Sequence, residues 1–517
     1  MDAIPTPMNN PISCYLSRGL LVAAFTLVVC APVRAGTLYI ARLTQANENP
    51  PSGAPFTGTG VLILNDAENT ATITATHNIT LPVTGGHIHR GSPTVNGPVI
   101  FPFPAPTSPV GPLTWSIPAA DVDNLKNLGL YMNFHTPVNP GGAIRSTLVR
   151  ALLAPSAASP VQLRLANALD ISAGYNADLD SILVATNLAD GATQTWTLGD
   201  LSGGTIHALG REALETMGNF ESSVFAYADD VRADPVQAGG KFHGFVRVGN
   251  EFGKREASRN QLGSTVKRPF TLLGGDLQFG PSTRAGLALG LADGKDTFKA
   301  GAGSTKVKTT ALQGFLSFDL GEAGIMLDAT GGYGSTSGDT TRNLASLSRM
   351  ATGSADGKVW SGALRASKSL SGTHGTTFVP YAFVDVQKAT VDGYTETGAN
   401  AADLVVANHT RWSSAFEAGT SLLVPVKTGS GAMSLRFQAG WHHLIEDGSG
   451  STATWLAGSP IGFTTQFDAM KKDSLRLEAT FAATLSNGML ATVGYRELLA
   501  GSGQKLHAVE AGLALKF

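Results

Sequence analysis

The last residues of the chain, 505–517, read KLHAVEAGLALKF. Apolar side chains occupy every second position of this segment: Val509, Ala511, Leu513, Leu515 and Phe517. A strand that faces lipid on one side and a polar lumen on the other needs this alternation, and the terminal aromatic residue adds to the signal. The segment therefore predicts the last strand of a β-barrel in the outer membrane of a Gram-negative bacterium.

Amphipathic segments of the same kind recur from residue 239 onward. We place twelve strands at 241–253, 268–279, 283–295, 305–319, 324–335, 357–370, 376–390, 411–426, 432–445, 473–485, 489–499 and 505–517. The joins after even-numbered strands are brief, as at 280–282, whereas 336–356, 388–410 and 446–472 are long and polar. Short periplasmic turns and long external loops distinguish an outer-membrane barrel from a soluble β-rich domain, which is the alternative interpretation.

The composition agrees with a membrane-anchored protein of two or three domains. The chain has 517 residues, 61 of them glycine, with 15% charged residues and a net charge of −2. A charge this balanced argues against a nucleic-acid partner. We expect mainly β structure, with outer-membrane lipid around the C-terminal half.

The first 35 residues have the features of a secretory signal. Arg18 precedes an apolar run at 19–29, and small residues at Val33 and Ala35 fit a signal-peptidase site. The run is too short to cross a bilayer as a helix. Both cysteines of the chain, Cys14 and Cys30, fall in this segment, so the exported part is predicted to fold without disulfides.

Residues 154–238 show helical periodicity and are predicted to form a linker and a helix over about 202–229. The segments Ala168–Asp170, Asp178–Asp180 and Leu201–Ala208 resemble motifs of the autotransporter family, with Gly204 and Thr205 in place of one acidic residue. The resemblance implies a periplasm-facing Ala-Leu-Asp run, a pore helix inside a twelve-stranded barrel at 239–517, and contact between the strand ending at Phe517 and the barrel-assembly machinery. It also implies an N-terminal domain exported to the cell surface.

Residues 37–153 are predicted to form a separate β-sandwich. Three clusters in this range resemble the chordin-type (CHRD) domain: 43–51 (LTQANENPP), 87–91 with 96–99 (HIHRG and NGPV), and 131–137 with 139–145 (YMNFHTP and NPGGAIR). The sequence departs from the pattern at Asn49 and Ser146. The resemblance implies a fold more firmly than an activity.

Three histidines are the candidate functional residues of this domain. His87 and His89 are two positions apart, so on a strand both imidazoles leave the same face, and His135 on another strand could complete a three-nitrogen site for Zn or Cu. The alternative is that these rings bond turn carbonyls and shape the adjacent Gly-Pro and Pro-Gly-Gly turns. Glu48 and Asp66 are weaker candidates, and Arg145 is expected to pair with Glu48 or with a surface ligand.

The sequence contains no Gly-x-Ser-x-Gly elbow, phosphate-binding loop or His-Glu-x-x-His helix. We therefore expect no enzyme. The predicted function is outer-membrane anchoring and surface display of a binding or adhesion domain whose ligand is unknown. The alternative is a copper or zinc redox protein that uses the three histidines.

Overall fold

The computed structural model describes residues 36–238, 241–258, 260–428, 431–501 and 504–517. The predicted secretory signal, residues 1–35, lies outside the described residues. The described chain is mainly β, as predicted, and consists of an N-terminal β domain, a group of helices and a C-terminal barrel.

The N-terminal domain is a single sheet of nine strands with one short helix. The elements are β1 (Gly36–Thr44), β2 (Thr57–Asn65), β3 (Ala71–His77), β4 (Gly85–Arg90), β5 (Val99–Pro102), β6 (Val110–Trp115), α1 (Ala119–Lys126), β7 (Leu130–His135), β8 (Ile144–Thr147) and β9 (Val149–Arg150). The strand order is β5-β4-β7-β8-β1-β2-β3-β6, with β9 beside β1. A single residue pair, Thr44 and Arg145, joins β1 to β8, so the sheet can fold there into two halves.

The two halves of this sheet enclose one apolar core, as a sandwich requires. Ile88 and Met132 point inward from one half and Leu62 and Ile73 from the other, all with no exposed surface. The halves approach closely at Gly60, where an added Cβ would lie 2.4 Å from Met132 Sδ. Inward residues alternate with outward ones along each strand, which is the pattern of a β-sandwich.

Three helices follow the sandwich: α2 (Pro160–Leu169), α3 (Ala177–Leu188) and α4 (Gly191–Leu201). Their first turns are capped by the side chains of Ser159, Asn176 and Asp190, which accept hydrogen bonds from backbone N–H groups. Their buried side chains form one apolar cluster with residues of β1 and of the barrel loops. Among the described helices, none combines the length and the apolar character needed to span a bilayer.

Helices α5 (Ala208–Ala233) and α6 (Pro235–Ala238) lead into the barrel. The barrel strands are β10 (Phe242–Arg255), β11 (Ser264–Phe279), β12 (Thr283–Phe298), β13 (Gly303–Asp319), β14 (Ile325–Leu344), β15 (Arg349–Lys368), β17 (Thr377–Val391), β20 (His409–Thr428), β21 (Gly431–Asp447), β24 (Asp473–Thr484), β25 (Leu490–Ala500) and β26 (Gln504–Lys516). All neighbours are antiparallel, β26 pairs with β10, and β15 pairs with β17, so twelve strands close into a cylinder as predicted.

The connections are mostly short at one end of the cylinder and longer at the other. The predicted loop 336–356 is wrong in part, because β14 and β15 continue as a paired hairpin down to a turn at 345–348. The polar sequence of residues 336–356 suggested an irregular loop, but β14 and β15 stay hydrogen-bonded to each other beyond the apolar belt of the barrel. Small strands β16 (Leu370–Ser371), β18 (Tyr394–Thr395), β19 (Leu404–Val406), β22 (Gly450–Leu456) and β23 (Phe463–Phe467) lie in the connections, and the last four form a separate sheet at the long-loop end.

The barrel carries its apolar side chains on the outside. Exposed members of this belt include Leu273, Leu289, Leu312, Leu364, Phe437, Val493, Val509 and Leu513. Lipid covers such a belt, whereas charged side chains of the same strands point into the lumen. The last strand therefore has the orientation that its alternation predicts.

Helix α5 runs through the lumen. Its 26 residues span about 39 Å, which exceeds the thickness of a bilayer core. At its start, the carbonyl of His207 accepts a hydrogen bond of 2.9 Å from Arg411, close to the long-loop end of β20. Beyond its end, Gln237 donates a 2.6 Å hydrogen bond to the carbonyl of Gly488 in a short turn. The observed helix begins and ends a few residues later than the predicted range 202–229.

Candidate functional site

The three candidate histidines lie on the outer face of the sandwich. His87 and His89 flank Ile88 on β4, and because Ile88 points into the core, both imidazoles point outward. His135 is the last residue of β7 and is paired with Gly85 of β4. Strand pairing therefore brings together residues that are about 50 positions apart in the sequence.

The three imidazoles form a compact group. One ring nitrogen of each residue lies within 4.8 Å of the others. The ring centroids are 5.1 Å apart for His87 and His135, 5.5 Å for His87 and His89, and 6.2 Å for His89 and His135. His89 is buried, and the other two are partly buried.

Turn carbonyls determine the tautomers of two of these rings. His89 Nδ1 is 2.9 Å from the carbonyl oxygen of Gly97, and His135 Nδ1 is 2.9 Å from that of Pro140. A carbonyl oxygen can only accept, so each Nδ1 carries the proton and each Nε2 keeps its lone pair. Nε2 of His89, Nε2 of His135 and Nδ1 of His87 are buried without a hydrogen-bond partner among the described residues.

Burial keeps the three imidazoles neutral. It lowers the pKa of His87 to about 4, and the neighbouring His135 and His89 lower it further in the same direction. Burial also lowers the pKa of His89 and that of His135, opposed in each case by the hydrogen bond to the turn carbonyl. At neutral pH all three rings present nitrogen lone pairs rather than positive charge.

Tyr131 and Arg145 hold in place the segment around Gly97, whose carbonyl contacts His89. The Tyr131 ring is stacked on His89 with centroids 4.7 Å apart, and the Arg145 guanidinium lies 3.9 Å from the centroid of the same ring. Arg145 donates to Asn96 Oδ1 at 2.7 Å, and the backbone N–H of Gly97 donates to the Tyr131 hydroxyl at 3.1 Å. Sequence reasoning missed Tyr131 as a positioning residue, although its parity with His135 on β7 points to the same face.

The weaker candidates lie outside the group of three. Glu48 is buried and accepts a 2.9 Å hydrogen bond from Asn133, whereas the hydrogen bonds of Arg145 go to the 92–97 segment. The expected Glu48–Arg145 pair is thus not a direct contact. Burial raises the pKa of Glu48 to about 7. Asp66 lies in the turn after β2.

A second set of polar contacts lies inside the barrel, where carboxylates of helix α5 meet arginines of the barrel wall. Glu212 Oε1 lies 2.8 Å from Arg268 Nη2, and Asp230 Oδ2 lies 2.9 Å from Arg247 Nη1. Phe220 of the same helix packs where a glycine leaves space, because a Cβ at Gly290 would lie 2.6 Å from its ring. Helix α5 is therefore held in the lumen by charge and by shape.

The comparisons with known proteins identify both parts of the chain. Residues 244–496 match the sequence model of the autotransporter beta-domain, and residues 39–148 match that of the CHRD domain. The chain carries an autotransporter beta-domain and a CHRD domain. The autotransporter beta-domain is an outer-membrane barrel of type V secretion, as the sequence predicted, and the protein lies in the outer membrane.

Solved structures similar to this protein include three autotransporter barrels. The translocator domain of NalP from Neisseria meningitidis is 14% identical, over 59% of this chain and 97% of that one, with a TM-score of 0.48. The beta domain of the Bordetella autotransporter BrkA is 16% identical, over 54% and 100%, with a TM-score of 0.40. The transport unit of AIDA-I from Escherichia coli is 11% identical, over 54% and 90%, with a TM-score of 0.35. A comparison with curated proteins found no match.

The structure corrects one expectation drawn from the autotransporter resemblance. The Ala-Leu-Asp segment at 168–170 and the Asp-Leu-Asp segment at 178–180 do not face the periplasm but lie at the long-loop end of the beta-domain. There Asp178 lies 2.5 Å from Arg349, and Ser172 hydrogen-bonds Ser459 at 2.8 Å. Helices α2 and α3 bury their apolar faces in one cluster with these loops and with β1, which the sequence motifs alone do not reveal.

Proposed function

We propose that the barrel anchors the CHRD domain at the external face of the outer membrane and displays it there as a binding or adhesion module. The observation that carries the proposal is the direction of α5. The helix enters the lumen at the long-loop end and leaves it at the short-turn end. In outer-membrane barrels the short turns face the periplasm, so residues 36–207, which precede α5, belong outside the cell in this proposal.

The contacts of the helical linker support stable attachment. Leu38 of the sandwich, Leu165 of α2, and Leu404 and Phe463 of the barrel loops belong to one buried apolar cluster. Arg164 also donates a 2.7 Å hydrogen bond to the carbonyl of Thr464. Such burial favours a domain that is mounted on the barrel mouth rather than released.

The role is proposed as non-enzymatic, with two kinds of partner. One is an unidentified surface ligand of the CHRD domain. The other is the barrel-assembly machinery, approached through the last strand. Phe517, which ends this strand, is 72% exposed and packs its ring beside Phe242, with centroids 5.4 Å apart. An exposed aromatic terminus is available for recognition before the first and last strands pair.

Cysteine labelling of intact cells tests the display. Both cysteines of the chain lie within residues 1–35, so a single cysteine introduced later is a unique label after removal of the predicted signal. Ala67 is exposed in a turn of the CHRD domain, and Ser486 is exposed in a short barrel turn. We expect a membrane-impermeant maleimide to label Ala67→Cys on intact cells and Ser486→Cys only after the outer membrane is permeabilised.

The matched pair makes the outcome unambiguous, because both variants carry one exposed thiol in the same protein. Protection of Ala67→Cys in intact cells, together with labelling after permeabilisation, would overturn the proposed display. Labelling of Ser486→Cys in intact cells would overturn the assigned orientation of the barrel.

A further inference from the structure

We propose that His87, His89 and His135 bind one copper or zinc ion on the outer face of the CHRD domain. This inference goes beyond anchoring and display and does not depend on them. It rests on the positions of the three rings and on the hydrogen-bond partners of each nitrogen.

The first argument is that three histidines, each with an unpartnered buried ring nitrogen, lie together. A buried polar atom without a partner costs about 1–3 kcal/mol, so native structures seldom keep three together without a use. Here one ring nitrogen of each histidine lies within 4.8 Å of the others, and each histidine has a buried ring nitrogen without a partner among the described residues. A single cation placed between the three rings would take one nitrogen of each as a ligand.

His77 of the same domain shows what a structural histidine looks like. Its Nε2 lies 3.0 Å from the carbonyl oxygen of Pro106, and its Nδ1 accepts a hydrogen bond of 3.3 Å from the backbone N–H of Ile79. Both of its nitrogens are therefore used to hold turns. His89 and His135 use only Nδ1 in this way, which leaves the nitrogen on the opposite side of each ring free.

The hydrogen bonds from Nδ1 of His89 and His135 to turn carbonyls are of the kind that metal-binding histidines make. A ligating imidazole usually donates its other N–H to a carbonyl or carboxylate, which orients the ring and makes the free nitrogen more basic. Gly97 and Pro140 supply such carbonyls. Tyr131 and Arg145 in turn hold the segment that carries Gly97. His89 and His135 can therefore play both roles at once: Nδ1 holds a turn, and Nε2 on the other side of the ring is free to bind a metal ion.

Gly85 leaves space for the ring of His87. A Cβ at Gly85 would lie 2.9 Å from His87 Cε1, so a larger residue would displace this ring from its position against β4. Gly85 has no left-handed backbone angle that would require glycine. The absence of a side chain at this position therefore serves the ring of His87.

The donor set determines the class of ion. Three neutral imidazoles suit copper and zinc, whereas calcium and magnesium prefer oxygen ligands. Nitrogens around a tetrahedral zinc ion lie about 3.3 Å apart, so rings within 4.8 Å must close by about 1.5 Å on binding. Three protein ligands leave a coordination position open for water or a further ligand.

Metal analysis of the full chain in detergent micelles tests the site. The protein is prepared without a polyhistidine tag, stripped with a chelator, and titrated separately with Zn²⁺ and Cu²⁺. We expect one equivalent of metal per chain, with nitrogen hyperfine structure in the Cu²⁺ electron paramagnetic resonance spectrum. His89→Gln and His135→Gln should each weaken binding at least tenfold.

Two further variants separate a ligand role from a structural one. His77→Gln removes a histidine of the same domain and should leave metal binding unchanged, whereas Gly85→Ala should weaken it without removing any histidine. Protease resistance of the CHRD domain in each variant reports whether the domain remains folded. Failure of the folded wild-type chain to bind either ion stoichiometrically, or binding unaltered by His89→Gln and His135→Gln, would overturn the proposal. Both results are independent of the labelling pattern that tests display.

Discussion

Removal of one buried charge should loosen the helix that fills the barrel. Glu212 of α5 has no exposed surface, and its carboxylate lies 2.8 Å from Arg268 Nη2 and 3.3 Å from Arg255 Nη2. Glu212→Gln keeps the size of the side chain but removes the negative charge. It also places an N–H₂ group, which can only donate, next to arginine donors.

The expected cost follows from the burial of this pair. Breaking a buried ion pair by removing one partner costs about 3–5 kcal/mol, because the other charge stays buried. After the change Arg268 keeps Glu215 and Glu251 as partners and Arg255 keeps Asp296. Neither charge is left unpaired, so we expect the lower end of this range, about 3 kcal/mol, mainly for the lost charged hydrogen bonds. A difference of this size corresponds to roughly a hundredfold change in the equilibrium between docked and undocked α5.

Hydrogen exchange of the α5 amides in micelles measures this equilibrium, since exchange reports local opening. We expect exchange about a hundredfold faster in Glu212→Gln than in the wild type, accompanied by more frequent conductance openings in planar bilayers. Glu256→Gln is the matched control, because Glu256 forms an exposed pair with Lys299 at the surface. Equal exchange rates of α5 in the two variants would refute the idea that lumen charges hold the helix.

Two further predictions concern the CHRD domain. The raised pKa of Glu48, about 7, means that the folded domain holds this proton more tightly than the unfolded chain does. Stability from this group is therefore complete below about pH 4.5 and is lost as the pH rises through 7, at a cost of about 1 kcal/mol after solvent screening. The lowered pKa values of His87, His89 and His135 act in the opposite direction, so the effect of Glu48 is isolated by comparison with Glu48→Gln, in which the histidines are unchanged. In protease-monitored urea unfolding, the wild type should lose stability relative to Glu48→Gln between pH 5 and pH 8, and an equal pH dependence of the two proteins would contradict the assignment. Leu62→Ala should lower the free energy of unfolding of the domain by about 2–5 kcal/mol in the same assay because it leaves a cavity in the core, whereas the exposed Val149→Ala should change it little; equal effects would argue against the enclosed core.

The twelve barrel strands were predictable because their signal is local. Lipid on one side and a polar lumen on the other impose a period of two on every strand, which can be read without knowledge of the neighbours. Predicted and observed ends agree best at the short turns. They differ most at β14 and β15, where pairing continues to residues 344 and 349 outside the apolar belt. A polar hairpin and a polar loop have similar amino-acid compositions. Only pairing with a neighbouring strand distinguishes the hairpin from the loop.

The candidate site was predictable in a more limited sense. The spacing of His87 and His89 is sufficient to place both rings on one face of a strand. The sequence does not show that β4 pairs with β7 or that His135 lies opposite Gly85. It also does not show that the carbonyl of Gly97 bonds Nδ1 of His89 and that of Pro140 bonds Nδ1 of His135. Those relations join distant segments, and no local pattern encodes them.

The sequence by itself indicated the class of each part: alternating apolar residues together with short and long joins predicted a membrane barrel, and three ordered clusters carried the resemblance to the CHRD domain. The tertiary structure alone decided that α5 traverses the lumen from the long-loop end, that the linker helices pack on the long loops, and that three histidines come together on one face of the CHRD domain. The physical reason is the range of the interactions. Alternation reflects what each residue faces in its own strand, whereas convergence depends on which strands pair and on how the sheet folds over its core.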